Sequence, residues 1–165
     1  MKGGHVSTRR RLEYARGYVA LGLLKEAEKE LEAIAADDPL ALEAVKVRID
    51  LHMEGKRWKQ VVLMAGAVCL AEPAQESAWI AWAFALRELQ RIEEARDVLL
   101  KAEPLHGESS SLLHYNLACY YSLLGDLPEA RQRLQRAARK RKEWLEDARE
   151  DTDLKALWPE LKGDS

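Results

Sequence analysis

His114-Tyr-Asn-Leu-Ala-Cys-Tyr-Tyr-Ser-Leu-Leu-Gly-Asp-Leu-Pro-Glu-Ala130 is the stretch that decides the fold. Leu117, Ala118 and Tyr121 fall three and four apart, the period of one helix face. Gly125 then breaks the pattern. Asp126-Leu-Pro-Glu129 reads as a helix cap with an acidic partner three residues on. Ala130, Leu134 and Ala137 form the stripe of a second helix. The unit is therefore helix, turn, helix. Its closing phrase returns upstream as Gln90-Arg-Ile-Glu-Glu-Ala95, Lys56-Arg-Trp-Lys-Gln-Val61 and Gly22-Leu-Leu-Lys-Glu-Ala27. The steps Ala27 to Val61, Val61 to Ala95 and Ala95 to Ala130 are 34, 34 and 35 residues. A fixed period of this size marks a stacked helical repeat.

The other copies carry the same two halves. Tyr14, Ala15 and Tyr18, then Trp79, Trp82, Ala83 and Leu86, are first-helix faces. Ala27, Leu31 and Ile34, Val61, Ala65 and Val68, and Ala95, Leu99 and Ala102 are second-helix stripes. Gly22 and Gly55 sit where first helices should stop. Asp38-Pro39 and Glu72-Pro73 sit where one repeat hands over to the next. Composition agrees. Apolar residues are 47% and charged residues 33% of 165, which excludes a disordered or fibrous chain. Glycine and proline total 14, few for an all-β chain. No apolar run approaches the ~20 residues of a membrane helix. The first eleven residues carry charge with no apolar stretch behind it, unlike a secretory signal.

These residues resemble the tetratricopeptide repeat. That family has a 34-residue helical hairpin with Tyr late in its first helix, Gly at the turn, Ala opening the second helix and Pro closing the unit. The fourth copy matches closely and the first nearly so. The third lacks the turn glycine, and in the second the glycine comes one residue early. The resemblance implies an all-α solenoid of antiparallel helix pairs in a right-handed superhelix. It implies one domain over 1–165, with repeats at about 8–41, 42–75, 76–110 and 111–144. Residues 143–161 are expected to cap the array, because a last repeat would otherwise expose its apolar face. There Asp153 should cap the final helix, and Leu154 and Leu157 should fold onto the preceding second helix.

No arrangement for catalysis emerges. His5, His52, His106 and His114 are scattered across repeat phases, and no metalloprotease, phosphate-loop, dinucleotide or nucleophile-elbow motif occurs. Cys119 and His114 are five apart on one helix and point away from each other. Cys69 and Cys119 are too few and too separated for a disulfide framework or a metal pair. They read as reduced, buried thiols of a cytoplasmic protein. Neither enzyme activity, cofactor nor metal is expected. The tryptophans fall on packing stripes rather than on a stacking platform for bases. One charge feature stands out: Arg131, Arg133, Arg136, Arg139, Lys140, Arg141 and Lys142, with no acid among 131–142. Arg133, Arg136 and Lys140 would form its patch for RNA or an anionic partner. The acidic stretch that follows argues for a solvated face paired with the cap, and the net charge of −2 argues against nucleic acid as a partner.

The family resemblance places function on the concave groove lined by the first helices, which holds peptides. The candidate groove residues lie off each packing stripe. They are Leu12 and Arg16, then Lys46, Asp50 and Met53, then Ile80, Phe84 and Arg87, then Tyr115 and Cys119. The family's clamp for a terminal carboxylate is missing. Its places hold Leu12, Arg16, Val47, Ser77 and Ala81, or, one repeat on, Lys46, Asp50, Ala81, Leu112 and Asn116. An apolar cluster of Ile80, Phe84, Tyr115 and Cys119 is expected to be exposed and to take an apolar peptide or amphipathic helix of a protein partner. The alternative is a structural repeat that associates with itself, for example as a homodimer.

Overall fold

The computed structural model describes residues 6–163. Among them are ten α-helices and one 3-10 helix, with no strand. The helices are α1 (Thr8–Ala20), α2 (Leu24–Glu32), α3 (Ala41–Glu54), α4 (Trp58–Ala71), α5 (Glu76–Glu88), α6 (Ile92–His106), α7 (Ser111–Leu123) and α8 (Leu127–Lys140). Then come α9 (Trp144–Ala148), the 3-10 helix (Thr152–Leu157) and α10 (Trp158–Lys162). The order matches four helical hairpins and a cap, the all-α solenoid class expected. The chain divides into two compact units, one ending at Ala81 and the other starting at Trp82.

In the first unit α1 packs on α2, α3 on α4, and α1 on α3. Leu12, Ala15, Ala27, Leu31, Ile34, Ala44, Val47 and Leu51 make its core. In the second, α7 packs on α8 and α6, and the 3-10 helix lies mainly on α7. Ala27, Val61, Ala95 and Ala130, the residues that open the second helices, are all fully buried. A small side chain there lets the two helices of a hairpin approach closely. Val61 is accommodated at the same position.

The turns explain the irregular copies. Each first helix ends with one residue in the left-handed region: Gly22 (φ 71), Lys56 (φ 53), Gln90 (φ 61) and Gly125 (φ 84). The hydrogen bonds repeat as well. Leu23 N donates to Tyr18 O, Arg57 N to His52 O, Arg91 N to Leu86 O and Asp126 N to Tyr121 O. This is the Schellman closure, which recovers the carbonyls a helix end leaves unpaired. Repeats two and three make it without glycine. Asp126 caps α8 as expected, accepting from Glu129 N at 3.2 Å. The Glu129 side chain instead takes Arg133 Nε at 2.9 Å.

Candidate functional site

The first-helix face of the first unit is an open cleft of about 390 Å³. Arg16 comes from α1; Glu43, Lys46 and Asp50 from α3; Gln75 and Ser77 from the start of α5 and the loop before it. Val47, Ala78 and Ala81 form an apolar floor, each buried. Lys46 Nζ sits 2.7 Å from Glu43 and 2.6 Å from Glu72, and Arg16 lies 3.6 Å from Glu43. Those carboxylates hold the Lys46 ammonium above its ordinary pKa. Water loss in the cleft pushes the Asp50 carboxyl up, against the pull of Arg16. The cleft therefore offers both signs of charge and two neutral hydrogen-bonding side chains above a small apolar strip.

The corresponding face of the second unit is covered by the chain's own C-terminal segment. Trp144 stacks on Tyr115 with ring centroids 4.3 Å apart, and its Nε1 donates to Ser111 Oγ at 3.0 Å. Tyr115 OH donates to Asp151 at 2.9 Å, and the Cys119 thiol points to the same carboxylate at 3.7 Å. Arg87 grips Asp153 with two donors, its Nε at 2.8 Å from Oδ2 and its other nitrogen on Oδ1. Asp153 raises the Arg87 pKa, chiefly through these hydrogen bonds. Burial pushes the Cys119 thiol well up, with Asp151 and Asp153 adding to it. Leu154 and Leu157 are fully buried beneath.

Four sequence expectations are corrected here. Tyr115 and Cys119, expected on an exposed patch, are 6% and 4% exposed, because the tail lies over them. Asp153 does not cap the last helix, α10, which has no side-chain cap. Asp151 caps the 3-10 helix before it, accepting from Asp153 N at 3.0 Å, while Asp153 turns to Arg87. The tail leucines pack chiefly against α7, a first helix, and less against α8. The structure gathers Arg16, Lys46 and Asp50 in one cleft. Leu12 is not with them; at 3% exposure it belongs to the core. Met53 and Ile80 are half-buried, and Phe84 is 37% exposed beside Arg87 and Cys119 in a smaller cavity. The sequence reading missed Glu43, whose i,i+3 spacing to Lys46 was a usable signal. It also missed Asp153 as the partner of Arg87 and Asp151 as the acceptor for Tyr115 and Cys119.

Cys119 Sγ and the carboxylates of Asp151 and Asp153 lie within 4.8 Å of one another, a spacing that fits a cation. Both Asp153 oxygens already accept from Arg87, so a further cation would meet the guanidinium charge. The cluster is fully accounted for as an internal lock. The basic run on α8 is largely paired as well. Arg131 binds Glu160 at 2.5 and 2.6 Å, and Arg136 reaches Glu103 at 3.4 Å. Arg133, 8% exposed, binds Glu103 at 2.7 Å and Glu129, and donates to His114 Nδ1 at 3.3 Å. His114 Nε2 donates to Gly107 O at 2.7 Å. Arg136, Arg139 and Lys140 line a shallow hollow of about 490 Å³ with Glu103 and Glu108. His5 lies outside the described residues.

The fold is that of a helical-repeat protein, built from antiparallel helix hairpins. Solved structures that superpose on it include MamA proteins. "Crystal structure of MamA protein" superposes with a TM-score of 0.76 at 15% identity, over 94% of this chain and 82% of that one. "MamA MSR-1 C2" gives 0.69 at 22% identity, over 84% and 79%. "MamA RS-1 ArsTM double mutant" gives 0.71 at 17%, over 81% and 74%. At these identities the likeness is one of fold. No family profile matches the chain, and no curated protein matches it. Among the described residues no helix is long and apolar enough to cross a membrane.

Proposed function

We propose that the chain is a non-catalytic, cytoplasmic protein-interaction module that holds a segment of a partner protein on the first-helix face of its first unit. The observation that carries this is the pairing of an open cleft with a filled one. In the second unit the first-helix face accepts a peptide segment through an aromatic stack, an acid on Arg87 and two buried leucines. The first unit presents the corresponding first-helix face as an open cleft, with Arg16, Lys46 and Asp50 over Val47, Ala78 and Ala81. Backbone groups of an extended or helical segment would find Gln75 and Ser77, and its charged side chains would find Arg16 or Asp50. The thiol that lies beside a carboxylate, Cys119 with Asp151, is buried under the tail, which supports the non-enzymatic reading.

The test is site-specific photocrosslinking in native lysate, with the probe at Asp50, at Ser77 or, as control, at exposed Lys101. Adducts should form from positions 50 and 77, be lost in Arg16→Glu, and be absent from 101. Adducts only from 101, or adducts indifferent to Arg16→Glu, would overturn the reading.

A further inference from the structure

We propose that the outer face of α4 is a self-association surface through which two copies of the chain pair, α4 antiparallel to α4. From Gln60 to Ala71 this helix carries no charged residue. One side buries Val61, Ala65, Val68 and Cys69. The other side is apolar too, yet bare: Leu63 is 75% and Leu70 87% exposed, with Ala67 exposed between them. Positions 63, 67 and 70 are spaced i, i+4, i+7 and share one face. A helix that is apolar all round belongs inside something.

The repeat register shows that the fold does not ask for these residues. Where repeat two has Leu63, the others have Lys29, Asp97 and Gln132. Where it has Leu70, they have Ala36, Pro104 and Arg139, and Ala67 answers to Ala33, Lys101 and Arg136. The same outer positions are polar or small elsewhere and leucine only here. A contiguous exposed apolar stripe of this kind marks an interaction surface.

The stripe is complementary to itself. A twofold axis between Gly66 and Ala67 sets Leu63 of each copy against Leu70 of the other. The small residues at the centre let the two ridges interdigitate. Exposed Lys59 at the N-terminal end then falls beside the other helix's C-terminal end. There Glu72, which also accepts from Lys46 at 2.6 Å, and the negative helix terminus attract it. Leucine meets leucine and cation meets acid twice over, as an isologous contact requires. One helix pair buries less than the roughly 1,600 Å² of a standard interface, so the dimer is a weak one, in the micromolar range. This inference does not rest on the cleft of the first unit.

Sedimentation velocity on the full chain across about 5–500 µM, a range spanning weak dissociation constants, tests it. The mass should rise twofold with concentration in the wild type and stay single in Leu63→Glu/Leu70→Glu, with the circular dichroism unchanged. Ala67→Cys, a milder change, should give a disulfide-linked dimer under mild oxidation, while Lys29→Cys, its counterpart in repeat one, should not. A wild-type chain that stays monomeric throughout overturns the proposal. So does a dimer that persists in the double variant, which would place the contact on another surface, or crosslinking no better at 67 than at 29. Because the cleft residues are untouched, photocrosslinking from Asp50 should be the same in the double variant.

Discussion

The two units answer one design question differently. Each presents a first-helix face off its packing stripe. In the first unit that face is polar, with Glu43, Lys46 and Asp50 on α3 facing Arg16 on α1, and it stays open. In the second unit the matching positions are Tyr115 and Cys119 on α7 and Phe84 on α5. The chain's own tail covers Tyr115 and Cys119. The difference follows from desolvation. Charged side chains are stable facing water, whereas an aromatic ring and a thiol on a terminal repeat gain from a cover. Trp144, Leu154 and Leu157 provide it, and Asp151 and Asp153 satisfy the polar atoms that the cover would otherwise strand.

The largest expected effect comes from removing that cover. A chain ending at Glu143 should lose several kcal/mol of stability, since fully buried Leu154 and Leu157 are each worth about 1.5–3 kcal/mol. Its melting temperature should fall steeply or the protein should aggregate. Thiol labelling at pH 8 sharpens the test. Burial pushes the Cys69 thiol up to about 12 and Cys119 well up, so neither should react in the intact chain. In the shortened chain Cys119 should label quickly and Cys69 stay slow. Equal labelling of both would mean that the first unit, which holds Cys69, had unfolded as well, rather than that the cover alone had been removed.

Next in size is a matched pair of arginine deletions. Arg87 and Asp153 have side chains only 23% and 16% exposed, so Arg87→Ala strands a carboxylate under the tail. It should cost about 1–3 kcal/mol. Arg16 is 51% exposed and 3.6 Å from its acid, so Arg16→Ala should change stability by less than about 0.5 kcal/mol. Denaturant melts of both variants measure the contrast. If the two cost the same, the tail is not locked by Arg87.

Each unit also holds a histidine whose pKa is lowered, mainly by burial: His52 in the first and His114 in the second. The unfolded chain then takes up protons at these sites before the folded one does. Their contribution is present above the unfolded value of about 6.5 and is lost as pH falls through it toward the lower folded values. His114 bonds through both ring nitrogens, while His52 Nδ1 is buried with no hydrogen-bond partner. Melting temperature should fall between pH 7.5 and 5.5, before most carboxylates titrate. The fall should shrink in His52→Gln and in His114→Gln. A flat profile over that window would show that folding does not lower the pKa of either ring, as for rings that reach water freely.

The array was legible because stacking imposes a period, and small anchors such as Ala27, Ala95 and Ala130 recur in register whatever the surface does. Of the positions placed off the stripe, Arg16, Lys46 and Asp50 line one cleft, whereas Leu12 packs into the core. What covers a face was not legible. Tyr115 and Cys119 looked exposed because their cover begins some twenty-five residues later, in a segment outside the repeat period. Nothing local in Asp151-Thr-Asp153 tells that its acids reach back to α5 and α7. The apolar outer stripe of α4 was readable in principle, as Leu63 and Leu70 stand at positions that other repeats fill with polar or small residues.

The smallest expected effect lies in the turns. Each unit contains two such turns, one with glycine and one without. Gly22 and Lys56 hold the left-handed position in the first unit, Gln90 and Gly125 in the second. A side chain in that region crowds the backbone, at a cost of about 1 kcal/mol. Glycine removes the crowding but returns freedom to the unfolded chain, which offsets roughly half of the gain. Lys56→Gly and Gln90→Gly should therefore each stabilise by about 0.5 kcal/mol, raising the melting temperature by roughly 1–2 °C in a chain of this size. The converse change isolates the backbone cost, because a Cβ at Gly125 would meet no atom within 4 Å. Gly125→Gln should destabilise by about 0.5 kcal/mol through conformation alone. If Gln90→Gly destabilises instead, the Gln90 side chain makes contacts that outweigh its strained backbone, and the missing glycine of the third repeat would be an adaptation rather than a tolerated defect.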